Sequence, residues 1–238
     1  MNTPHAWQTT TARPSGAVFD EGLRQHMLRV YNYMGLGLGL TGLVAFLVAS
    51  TPALSQLIFG TPLKWVVMLA PLAFVFFFSF RIHAISAATA QMLFWAFCAL
   101  MGLSLASVFL VFTGASIART FFITAAMFGA TSLYGYTTQR DLSKMGSFLF
   151  MGLIGVVIAS VVNLFIGSSA LQFAISIIGV LVFTGLTAYD TQSIKEQYAE
   201  SFGQEANSKL AVWGALSLYL NFINLFQLLL SLTGQREE

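Results

Sequence analysis

The sequence predicts an all-α membrane protein, a bundle of seven transmembrane helices forming one domain. Three observations carry that prediction. The 238 residues are 57% hydrophobic and only 8% charged, whereas soluble globular domains carry about 25% charged residues. The mean hydropathy is +0.77. The few charges separate long uncharged stretches, on the scale of the about 20 apolar residues with which a helix crosses a bilayer.

Residues 1 to 29 are polar and lack the apolar core of a secretory signal. They read as a tail, holding His5 and His26, that leads into an interfacial segment. The first span covers about 31 to 50 and stops at the turn signal Ser50-Thr51-Pro52. WVVMLAPLAFVFFFSF, residues 65 to 80 between Lys64 and Arg81, is the second, and the third lies at about 91 to 112. The fourth runs from Thr120 to Gln139. Residues 145 to 189 contain no Asp, Glu, Lys or Arg; that is about twice the length of one span. Gly167-Ser168-Ser169 near the middle turns this stretch into a hairpin of spans five and six. The seventh covers about 210 to 232, so the transmembrane domain is 30 to 232 and residues 233 to 238 form a short tail.

An odd number of spans puts the termini on opposite sides. With the N-terminus in the cytoplasm, Arg13, Arg24, Arg29, Arg81, Arg140, Lys144, Lys195 and Lys209 lie inside, against Lys64, Arg119 and Arg236 outside. The excess of basic residues selects that orientation. A net charge of +2 with no Lys/Arg-rich cluster gives no footprint for nucleic acid, so the lipid bilayer is the expected partner. Cys98 is the only cysteine, so no intrachain disulfide forms and the thiol reads as a small hydrophobe. Gly35 and Gly39 in the first span, and Ser104 and Ser107 in the third, are small residues at helical spacing, read as helix-packing positions.

Ionisable groups in or beside spans are functional candidates because lipid makes them costly. Asp190 closes the sixth span, and Phe183, Leu186, Thr187 and Ile194 share its helical face, which turns the carboxylate towards packed protein. Thr187, one turn earlier, is a possible hydrogen-bond donor to it. Burial and a nearby cation would pull its titration in opposite directions. The candidate cation is Arg81, whose guanidinium suits a carboxylate; the alternative is an arginine snorkelling to the headgroups. In the seventh span Ser217, Asn221 and Asn224 fall at i, i+4 and i+7, a polar stripe that places this helix in the bundle interior. The loop TTQRDLSKMG offers Asp141 or Ser143 as a cap for the fifth span, or else charges that help close the cytoplasmic mouth.

LVFTGLTAYDTQSIKE closing the sixth span, followed by GALSLYLNFINLFQLLL as the seventh, resembles the Bax inhibitor motif family, in particular its bacterial, YccA-like branch, over approximately residues 25 to 232. The resemblance implies a bundle with a central last helix in the bacterial inner membrane. It also implies a cation leak, chiefly for calcium, gated by protonation of aspartates on helices six and seven. For the YccA-like branch it implies interaction with a membrane-bound ATP-dependent protease. Asp190 matches the sixth-helix aspartate, while the seventh-helix position, often Asp in that family, is here Asn221. Two close carboxylates share a proton and titrate as a pair; an Asp facing an Asn does not, so gating would rest on Asp190 with Asn221 or Arg81 as partner.

Rival chemistries lack their parts. Tyr189-Asp190 mimics half of an intramembrane aspartyl protease, but the second motif, GxGD, is absent and that chemistry needs two carboxylates. A zinc hydrolase needs several intramembrane ligands, and only His83 lies near a span. A retinal protein needs a lysine in the seventh span, which has none. No enzyme, metal or cofactor is therefore expected. Two functions of different class fit the inventory, namely a pH-sensitive cation leak gated by Asp190 and a non-conducting regulator that binds a membrane protease or other partner.

Overall fold

The structure, a computed structural model, describes residues 16–81, 84–199 and 202–237. Its helices are α1 Gly16–Ser50, α2 Pro52–Phe59, α3 Leu63–Arg81, α4 Ala87–Val111, α5 Gly114–Thr137, α6 Ser143–Ile166, α7 Ser169–Gln197 and α8 Gly203–Thr233. All except α2 are long and apolar enough to cross a membrane, so the all-α, seven-span architecture holds.

Local chemistry sets the boundaries. After Ser50 the chain enters Pro52, which cannot continue the α1 hydrogen-bond ladder but suits the first turn of the next helix. The result is α2, a short helix that the turn signal alone does not reveal. Ser86, Thr113 and Ser168 cap α4, α5 and α7 by accepting the N–H of Thr89, Ser116 and Leu171. Between α6 and α7 the chain reverses through Gly167 at φ 67°, a left-handed conformation that costs a residue with a Cβ about 1–2 kcal/mol. The variant Gly167→Val is accordingly expected to lose about that much stability in a mixed-detergent unfolding titration, with helix content unchanged.

The central position of α8 follows from its burial. In its most apolar stretch 56% of residues are buried, against 11% in α6, and it packs on α1, α4, α5 and α7. Tyr219 of α8 is fully buried, with its ring edge-on to Phe94 and Phe97 of α4. Its hydroxyl lies 2.6 Å from Oγ1 of Thr41, and that hydroxyl donates to the Cys98 carbonyl, so α1, α4 and α8 share one buried polar tie. Past α8 the chain lies along the α4–α5 link, where Thr113 N–H donates to the Gln235 carbonyl and Glu237 N–H to that of Val111. Thus α8 runs the length of the bundle and ends beside the α4–α5 link.

Two expectations change. The boundary drawn at residue 29 falls inside α1, which is continuous from Gly16. Arg24, Gln25 and Arg29 make this stretch look like a tail, yet Leu23, Met27 and Val30 form a buried i, i+4, i+7 face and Arg29 donates to Ser208 of α8. His26 is on α1 and 5% exposed, its ring tilted against that of Tyr198 at 5.1 Å between centroids, not in a tail; His5 and His83 lie outside the described residues. The glycines also trade roles. Gly37 and Gly102 are the close-approach positions, against Phe94 and Cys98 and against Thr41 and Val44, whereas Gly35 and Gly39 face open space. Ser104 does join helices, donating to the Val67 carbonyl of α3 at 2.5 Å.

Candidate functional site around Asp190

The stretch 184–196 lies wholly within α7. Phe183, Leu186, Thr187 and Ile194 are buried, and Asp190, partly buried on the same side, points at α8. One carboxylate oxygen, Oδ2, accepts hydrogen bonds from Ser217 Oγ at 2.6 Å and Asn221 Nδ2 at 2.7 Å. Both donors are one turn apart on α8, so the polar stripe read from the sequence supplies them. Bonds to an ionised acceptor are short and roughly twice as strong as neutral ones.

The remaining predicted residues go elsewhere. Arg81 is exposed at the end of α3, a helix that packs on α4. The ion pairs among the described residues are Glu21–Arg24 and Glu205–Lys209, so Asp190 pairs with donors on α8 rather than with Arg81. Thr187 Oγ1 donates to the Phe183 carbonyl of its own helix at 2.8 Å, the usual alternative for a helical threonine, and does not reach Asp190. Asn224 likewise donates back, to the Leu220 carbonyl. Asp141 is exposed and accepts the Ser143 N–H at 2.8 Å at the start of α6.

Hydrogen bonds from Ser143, side chain first and backbone second, hold the Asp141 carboxyl below the usual carboxylate range. With its folded value depressed, what it contributes is present above the unfolded value and lost only as pH falls through the folded one. Between about pH 5 and pH 8 it therefore stays ionised, and Asp141→Asn is expected to leave any pH response in that range unchanged in a vesicle flux assay.

Two functional neighbours escape sequence reading. Gln192 is buried; its Oε1 accepts the Leu142 N–H and its Nε2 donates to the Arg140 carbonyl, both at 2.8 Å. Lys195 Nζ donates to the Tyr136 carbonyl at 2.9 Å. Together they fasten the end of α5 and the α5–α6 link to the end of α7 that carries Asp190. A Cβ at Gly135 would strike the Ala188 carbonyl, and one at Gly146 the ring of Tyr189, so α5 and α6 close on α7 just before the carboxylate. Beside it, Thr191 Oγ1 lies 2.9 Å from Ser132 Oγ, which lies 2.6 Å from the Tyr31 hydroxyl, a polar chain from α7 through α5 to α1. The sequence offers no cue to Gln192, which stands among Asp190, Thr191, Ser193, Lys195 and Glu196 in what reads as a solvated helix end. Truncation by Gln192→Ala leaves the Leu142 N–H and Arg140 carbonyl unpaired, and the α5–α6 link of that variant is expected to be cut faster by added protease than in the parent.

Comparison with known proteins matches residues 23–238 to the family model described as inhibitor of apoptosis-promoting Bax1. The chain is 49% identical over 231 residues to protein RP147 of Rickettsia prowazekii, covering 97% of this chain and 98% of that protein. It is 48% identical over 218 residues to the inner membrane protein YbhL of Escherichia coli K12, covering 90% and 93%.

Proposed function

As the chain belongs to the Bax inhibitor family of membrane proteins, we propose that it is a pH-responsive cation leak of the inner membrane, calcium among its cargo, held shut by Asp190. The observation that carries this reading is the seat of the carboxylate, with Oδ2 shared by Ser217 and Asn221 of the central helix.

While Asp190 is ionised, its two charge-assisted bonds tie α7 to α8. Gln192 extends that tie to the α5–α6 link and Lys195 to the end of α5. A proton on the carboxylate makes it a donor and a poorer acceptor, so two donors then face a group that no longer needs both. The tie slackens, and the end of α7 and the link attached to it are released. With the N-terminus in the cytoplasm, the orientation favoured by the basic residues, this end is the inner mouth. Calcium prefers six to eight oxygen ligands; among the described residues no group of three or more His, Cys, Asp or Glu could hold a metal ion, so passing cations are bound loosely.

The test is calcium flux into liposomes holding the purified protein. Flux that rises as pH falls from about 8 to about 5 supports the leak. Flux equal to that of empty vesicles throughout removes it and favours the non-conducting regulator, for which co-purification with a membrane protease is the matching observation.

A further inference from the structure

A cleft of about 890 Å³ runs between α1 and α5 and reaches Phe222 of α8. Both helices pack on α8, and between them Gly35, Gly39 and Gly42 of α1 face Gly129 of α5. A Cβ at any of the four would meet nothing within 4 Å, so no side chain of the protein fills this trough.

The cleft is not uniformly apolar. Arg24 lines one end, as does Tyr136, over whose ring the Lys195 ammonium sits at 5.4 Å. Exposed Glu21 lies 3.3 Å from Arg24 Nη1, and the pairing leaves the other donors of the guanidinium fork. The Arg24 guanidinium and the Lys195 ammonium, beside a trough of hydrocarbon character, complement an anionic headgroup with its chain. A second apolar helix would account for the glycines but leave the cations without a counterpart. From Arg24 to Gly35 α1 rises about 17 Å, close to half of the about 30 Å hydrocarbon core, which is the reach of one leaflet's acyl chain.

We propose that this cleft is a phospholipid site, with the phosphate at Arg24 and Lys195 and an acyl chain running past Tyr31 to Gly35 and Gly129. The Tyr31–Ser132–Thr191 chain begins in its wall and ends beside Asp190, so an occupant bears on the turn that carries the carboxylate. That consequence rests on the gating reading above; the binding does not.

The experiment is native mass spectrometry of the full chain extracted from mixed phosphatidylglycerol and phosphatidylcholine vesicles. Retention of phosphatidylglycerol is expected to exceed that of phosphatidylcholine about fivefold. The exposed change Arg24→Gln should abolish that preference with the fold intact. Gly35→Leu with Gly129→Leu should lower retention of either lipid about tenfold at unchanged helix content. Equal retention of the two lipids by the parent, or undiminished retention by a folded leucine variant, overturns the proposal. So does conversion of a dimer to a monomer by the leucines with lipid unaltered, which would make a second copy the occupant. Flux plays no part in the readout, so this result and that of the gating test fail separately.

Discussion

Replacing Asp190 by Asn is expected to abolish the pH dependence of cation flux and to leave the protein leaking at neutral pH as the parent leaks in acid. Asparagine has the shape of the neutral carboxyl and can still accept from Ser217 through its oxygen, but it carries no charge. Hydrogen bonds to a charged group are worth about 1.5–3 kcal/mol each; losing the charge-assisted part of one shifts a closed-to-open equilibrium by about tenfold or more. The acid-to-neutral flux ratio should therefore fall from about tenfold to about one. A response surviving intact in Asp190→Asn would transfer the sensor elsewhere. His26, an imidazole buried on α1, is of the residue type that titrates in this range and would be the next candidate.

The largest effect on stability is expected at Tyr219. Its ring is fully buried, with centroids 6.1 Å from Phe94 and 5.7 Å from Phe97. Tyr219→Ala opens a cavity where α1, α4 and α8 meet, and truncations of buried aromatics cost about 3–5 kcal/mol. The change also strips Thr41 of a partner, although that hydroxyl keeps its bond to Cys98. Tyr219→Phe preserves the ring and isolates the hydroxyl, for which hydrogen bonds between membrane helices suggest about 0.6–1.7 kcal/mol. Unfolding in mixed detergent separates the two. An alanine variant as stable as the phenylalanine variant would mean that the centre of the bundle lies elsewhere.

Much of this arrangement is legible in the sequence because lipid simplifies the problem. Apolar length alone marks the seven spans, and Ser217 and Asn221 at i, i+4 mark the side of α8 that meets Asp190. What escapes is whatever depends on which helix neighbours which. Arg81 and Asp190 end spans on one side of the bundle, but nothing in either segment says that α3 packs on α4. Gly35 and Gly37 look alike as letters; only the crossing with α4 makes Gly37 a contact and leaves Gly35 open. The apolar face of Leu23, Met27 and Val30 is hidden by the charges around it. Gln192 sits past the aspartate, in what reads as a solvated helix end, and its burial comes from the α5–α6 link folding over it.

In the proposed gate Asp190 itself takes up the proton that loosens α7 from α8. Infrared difference spectroscopy between acid and neutral pH, on the reconstituted protein whose flux is followed in parallel, tests it most directly. A protonated-carboxyl band is expected that is absent from Asp190→Asn and whose midpoint coincides with that of flux. Flux that rises with acid while no such band appears, or a band that persists unchanged in Asp190→Asn, would contradict it.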